Sequence, residues 1–143
     1  MSTSTALTAE DVEFLGRPLL GLLTVAGAAE PPQPRPVWFE AAADGTIALF
    51  TLRGSPKLRH LERDPRASLV VVAPVGERER WVAVAGRTTL HDDGVDDLVT
   101  RLAGRYWDLG DRADDRADDL AGMLAGDNVR VQLHPEKVSR FSF

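Results

Sequence analysis

The chain contains no cysteine, which excludes disulfides and thiolate-bound metal outright. Lysine is almost missing: it occurs only as Lys57 and Lys137, so arginine supplies the rest of the 17 cations. Positive charge is also outnumbered, 17 against 22 acidic residues, for a formal net charge of -5. An acidic balance argues against general binding to nucleic acid or to an anionic membrane, and leaves room only for a local anion site. No apolar run approaches the length of a membrane span. The opening MSTSTALTAEDVEF has neither the basic start nor the long apolar stretch of a secretory signal. The expectation from these absences is a cytoplasmic protein with no membrane and no nucleic-acid partner.

What is present fits one globular domain, 1–143. Hydrophobic residues make up 43% and charged residues 27%, enough to bury a core without metal or disulfide support. Thr8 with Glu10 and Asp11 reads as a helix N-cap and acidic first turn. That helix should run to about Arg17 and stop at Pro18. LLGLLTVAG (19–27) reads as a buried strand, and the proline-rich 28–36 as a loop. PVWFEAAA (36–43) and TIALFTL (46–52) should form a hairpin about Asp44-Gly45. Ser55-Pro56 opens a short helix ending at Asp64-Pro65. Strands follow at 67–74 and 80–91, with a bulge or bend expected at Gly86. Residues 92–127 read as a helical insertion before a last strand from Asn128. Runs of strands with segregated helices predict an antiparallel barrel with flanking helices rather than a doubly wound sheet.

Two acidic clusters resemble metal sites and are rejected as such. The RADD repeat at 112–119 has a four-residue period that places aspartates and arginines within pairing distance along a helix. A calcium loop instead alternates its ligands and turns at a glycine. His91-Asp92-Asp93 has no second histidine at ligand spacing. Ser55, His60, His91 and His134 show no local signature of a nucleophile and its base. No residue is therefore assigned a catalytic role, and electrons would have to be carried by a cofactor.

One stretch breaks the acidic trend. TLRGSPKLR (51–59) and the ERDPR behind it gather Arg53, Lys57, Arg59, Arg63 and Arg66 around one turn. A helix N-terminus presents free backbone N–H groups and partial positive charge, which suit an anion. Gly54 would allow close backbone approach, Ser55 a hydroxyl and Lys57 a mobile charge. The residues also admit a plainer reading, a capped surface helix with solvated cations. The hairpin should bring Arg35 to Trp38 beside Phe50 to Arg53. The resulting corner would have apolar walls (Val37, Trp38, Phe50) and cationic ends (Arg35, Arg53, Lys57). Trp38 fits core packing equally well.

The succession RPVWF, Asp-Gly turn, LFTLRGSPKLRHLERDPRASLVV and RWVAVAGRTTL resembles the split-barrel flavin- and deazaflavin-binding proteins of the pyridoxamine 5'-phosphate oxidase type. The likeness spans about residues 14–142 and is most specific from Arg35 to Gly86. It implies a six-stranded antiparallel split β-barrel of the FMN-binding type that forms a homodimer with cofactor sites at the interface. It implies that Arg35, Pro36, Val37 and Trp38 line the ring and phosphate region. It implies cofactor contact by Phe50 and Thr51, a phosphate turn at Ser55, Pro56 and Lys57, and a contact from Trp81. Arg53, Arg59 or Arg63 would meet the anionic tail of such a cofactor. His60 stands where many relatives carry asparagine. The short length and PEKVSRF ending are most similar to members that use the deazaflavin F420. The implied activity is an F420H2-dependent reductase acting on a small conjugated acceptor. The rivals are an FMN-dependent oxidoreductase and a non-catalytic flavin- or haem-binding protein.

Overall fold

The computed structural model describes residues 1–27, 31–107 and 116–143. In chain order the elements are β1 (Ser2–Ser4), α1 (Ala9–Leu15), β2 (Gly21–Val25), β3 (Arg35–Val37), β4 (Glu40–Ala41), β5 (Ile47–Leu52), α2 (Pro56–Arg63), β6 (Arg66–Val72), β7 (Arg80–His91), α3 (Val95–Tyr106), α4 (Ala117–Ala125) and β8 (Asn128–Ser142). All pairings between strands are antiparallel, in the order β3-β2-β6-β7-β8-β5-β4, with β1 on the end of β8. The two edge strands of this order, β3 and β4, are separated in the chain only by Trp38 and Phe39. The sheet thus curls until one bent segment serves both edges, which is a split barrel. Counting β3 and β4 as that single segment, six strands form the barrel and β1 is an addition to it.

The barrel follows from alternation. On β6 and β7, Leu69, Val71, Val82 and Val84 point inward and are at most 1% exposed. They meet Phe39, Leu49, Val131 and Leu133 from the opposite wall, all fully buried. Helix α1 closes one end by inserting Phe14 and Leu15 into this core. Its start is held by a reciprocal cap: Asp11 N donates to Thr8 Oγ1 at 3.1 Å and Thr8 N donates to Asp11 Oδ2 at 2.8 Å. Helix α3 lays Leu98 and Leu102 on Ala48, beside Trp38, Phe50 and Tyr106.

Gly86 sits at a register shift between β7 and β8, opposite Pro135. A Cβ there would overlap the His134 carbonyl oxygen, so close approach of the two backbones requires glycine. Pro135 is tolerated because the ladder is already interrupted at this point. The final strand therefore continues through its proline to Ser142.

One local expectation needs correction. Residues 36–43 do not form one strand: β3 pairs with β2 (Leu23 opposite Arg35) and β4 pairs with β5 (Glu40 opposite Ala48). The hairpin ladder at Asp44-Gly45 is thus short, and the chain crosses to the other edge at Trp38. The opening residues form β1, because Ser2 to Ser4 pair with Arg140 to Val138. Arg140 also donates twice to Asp11, at 2.9 and 2.7 Å, anchoring β8 and the entry of α1 together. Part of the RADD repeat lies outside the described residues; within them Arg116 pairs with Asp119 at 3.1 Å.

Candidate functional site

The turn at Gly54 (φ 83°) ends β5 and aims the chain into α2. Ser55 is the N-cap of α2: its Oγ accepts from Leu58 N at 3.2 Å. The same hydroxyl lies 3.0 Å from Thr51 Oγ1, so two hydroxyls and a helix start are tied into one corner. Pro56 occupies the first helical position and Lys57 the next. Lys57 borders the same cavity as Arg35 of β3 and feels its charge.

Arg35, Pro36, Thr51, Ser55 and Lys57 line a cavity of 650 Å³, together with His60 one turn further along α2. A second cleft of 290 Å³ adjoins it, walled by Val37, Trp38, Phe50 and Met123. Pro36 and Lys57 border both spaces, so the two form one trough with the lysine at its waist. Trp38 is held in place from behind: its ring stacks on Tyr106 at 5.2 Å and meets the edge of Trp107 at 5.5 Å. Tyr106 is itself fixed by donating to Leu19 O at 2.7 Å.

The electrostatics of the trough are lopsided. The half-buried Lys57 ammonium has its pKa pushed below the ordinary value of 10.5, first by desolvation and then by the Arg35 charge. Neither Lys57 nor Arg35 forms an ion pair among the described residues. Arg35 donates to Pro34 O at 3.2 Å and to Gln33 Oε1, both neutral partners. Two cations thus line one cavity with no acid beside them among the described residues, which favours an anionic ligand.

The remaining cations of the stretch behave differently. Arg53 turns away from the trough and binds Asp92 and Asp127, the latter at 3.0 Å. Two carboxylates therefore compete with the ligand-tail contact expected of it. Arg59 is exposed and does not line either space, because it projects from a different face of α2 than Lys57. Arg63 donates to Arg59 O and to His60 Nδ1. Trp81 lies on the outer face of β7, stacked on Phe141 at 6.2 Å, outside the trough of its own chain. The rejected metal cluster has other work too: His91 Nε2 bonds Thr89 Oγ1 at 2.8 Å, and Asp93 pairs with Arg130.

Met123 was not foreseen as part of the site. It reaches the aromatic cleft from α4, and no spacing in the sequence marks it out from the helix's other apolar residues.

The sequence pattern of the pyridoxamine 5'-phosphate oxidase family matches residues 7–140. The chain belongs to that family. Its fold is accordingly that of a flavin-binding oxidoreductase family. Solved structures share it at low identity. A conserved hypothetical protein from Mycobacterium tuberculosis superimposes with TM-score 0.72 at 23% identity, covering 97% of this chain and 88% of that one. A structure described as an F420 reductase gives TM-score 0.67 at 22% identity, covering 89% and 94%. An FAD-binding protein from Mesorhizobium loti gives 0.61 at 20% identity, covering 100% and 99%. No curated protein matches the chain.

Proposed function

We propose that the family member described here is an F420H2-dependent reductase of small conjugated organic acceptors. The observation that carries this reading is that Arg35 and Lys57 line one cavity without an ion-pair partner among the described residues, with an aromatic cleft adjoining at Lys57. Lys57, Ser55 and Thr51 would hold the cofactor's phosphate, with Arg35 closing over it from β3. Pro36, Val37, Trp38 and Phe50 would receive the ring. A bound reduced deazaflavin supplies a hydride to the acceptor. The chain's own part is alignment: the stacked Trp38 and Tyr106 give the cleft a rigid wall, and the apolar lining keeps water from the reacting faces. Among the described residues no acid–base pair lines the trough, which suits a reaction in which the protein orients two partners.

A second reading, an FMN-dependent oxidoreductase, uses the same phosphate corner, and the likeness to an FAD-binding protein over the full chain supports it. Absorbance titration of the purified protein with FMN and with F420 separates the two. Preferential uptake of F420, followed by its oxidation on adding a conjugated acceptor, is the expected result. Tight FMN binding without F420 uptake would replace the lead with the second reading. Uptake without turnover over a varied acceptor panel would leave a binding protein.

The homodimer belongs to the same proposal. The outward face of β2, β6 and β7 aligns Leu22, Val70 and Ala83 in one row and Val72, Trp81 and Phe141 in the next. Leu22 and Val72 are 40% and 52% exposed. A second copy would cover this sheet face, and Trp81 would then reach the cofactor held by the partner subunit.

A further inference from the structure

The trough does not end at the phosphate corner. The 650 Å³ cavity that holds the corner also reaches His60, further along α2. A ligand that reached only Thr51, Ser55 and Lys57 would leave the His60 end of that cavity without a partner. His60 follows Lys57 by three residues, so both sit on one helix face, about 4.5 Å apart along the axis. The chain just after β2 packs closely on its backbone, since a Cβ at Gly27 would stand 2.5 Å from the His60 carbonyl oxygen.

The state of the ring follows from its partner. Arg63 Nη2 lies 3.2 Å from His60 Nδ1. A guanidinium can only donate, so Nδ1 accepts and the neutral ring carries its hydrogen on Nε2. Among the described residues, Nε2–H is then the ring's unused donor. The cavity that His60 lines is also lined by Lys57, Arg35 and Gln33, and by no carboxylate among the described residues.

We propose that His60 Nε2 donates to a second acidic group of the ligand, one helical turn beyond the phosphate at Lys57. The site would then select a phosphodiester bearing a carboxylate tail over a terminal phosphate. This inference rests on the reading of the trough as a cofactor site and specifies which ligand chemistry that site takes.

Calorimetric titration of three proteins tests it: the wild type, His60→Leu and His60→Gln. The probes are FMN, which ends in a phosphate, and F420, whose phosphodiester carries glutamyl carboxylates. His60→Leu should weaken F420 about tenfold and change FMN less than twofold, the loss of one hydrogen bond to a charged acceptor. His60→Gln, which keeps a side-chain N–H donor, should recover most of the F420 affinity. A uniform loss for both probes, no loss for either, or no recovery in His60→Gln would overturn the proposal while leaving the cofactor site standing. Failure of the wild type to bind either probe would overturn the site and the proposal together. Melting curves of both variants should match the wild type.

Discussion

Removing the charge at Lys57 should separate binding from folding. Lys57→Met keeps most of the apolar stem and deletes the ammonium. A hydrogen bond to a charged partner is worth about 1.5–3 kcal/mol, which weakens the phosphate-bearing ligand by roughly 10- to 150-fold. The unliganded protein should respond in the opposite sense. Desolvation and Arg35 both disfavour the charged lysine in the folded state, so its pKa lies below the 10.5 of the unfolded chain. Between those two values the unfolded state holds the extra proton, and stability rises with pH. Below that window the charged lysine is a liability to the empty fold, and Lys57→Met should melt at the same temperature as the wild type or higher. A bound anion reverses the argument by supplying the missing countercharge, so ligand affinity should fall as pH climbs through the lysine's lowered pKa. Fluorescence titration at several pH values, beside thermal melts without ligand, reads all of this. Unchanged affinity in Lys57→Met, or a lower melting temperature for the empty variant, would refute the reasoning.

Other parts of the structure yield sharper tests of the fold. Ser55→Ala removes the cap of α2 and the partner of Thr51 and should cost about 1 kcal/mol in denaturant unfolding, with weaker ligand binding besides. Gly86→Val should cost at least about 2 kcal/mol by forcing β7 and β8 apart at the His134 carbonyl, measured by the same unfolding. Asp11→Ala leaves Arg140 without its buried partner and should cost about 3 kcal/mol. Desolvation raises the Asp11 pKa, but the bonds from Arg140 and Thr8 outweigh it and hold it below 3.8. Its stabilisation is therefore complete above that value and is lost as acid unfolding proceeds below it. Val72→Arg places a charge on the exposed sheet face and should shift the protein toward a monomer by light scattering, without loss of secondary structure.

Much of the barrel was legible because local chemistry and tertiary structure agree there. Thr8 and Ser55 cap the helices their sequence contexts announce, and Gly86 marks the interrupted register. What stayed illegible depends on long-range competition. RPVWFEAAA has continuous strand propensity, yet the barrel needs a corner where its edges meet. Pairing to β2 on one side and β5 on the other breaks the segment at Trp38. A fifteen-residue strand through Pro135 is likewise hidden, because only the glycine on the neighbouring strand makes the proline harmless. Met123 joins the cleft through the packing of α4, a relation between elements that no spacing within the helix records.

The concentration of positive charge in an acidic chain resolves on the same grounds. Of the five cations between Thr51 and Arg66, Arg53 is taken by Asp92 and Asp127, and Arg66 by Asp64, whose carboxyl is drawn down to about 2. Arg63 props His60, and Arg59 is left to solvent. These positions were equivalent by composition but not by geometry, since an acid within reach turns a cation into structural support. Lys57 alone is half-buried, faces a second cation and has no carboxylate beside it among the described residues. A fold selected only for stability would gain by replacing that lysine with an apolar residue, because no group among the described residues repays its desolvation. Its presence is explained when the missing countercharge belongs to a ligand.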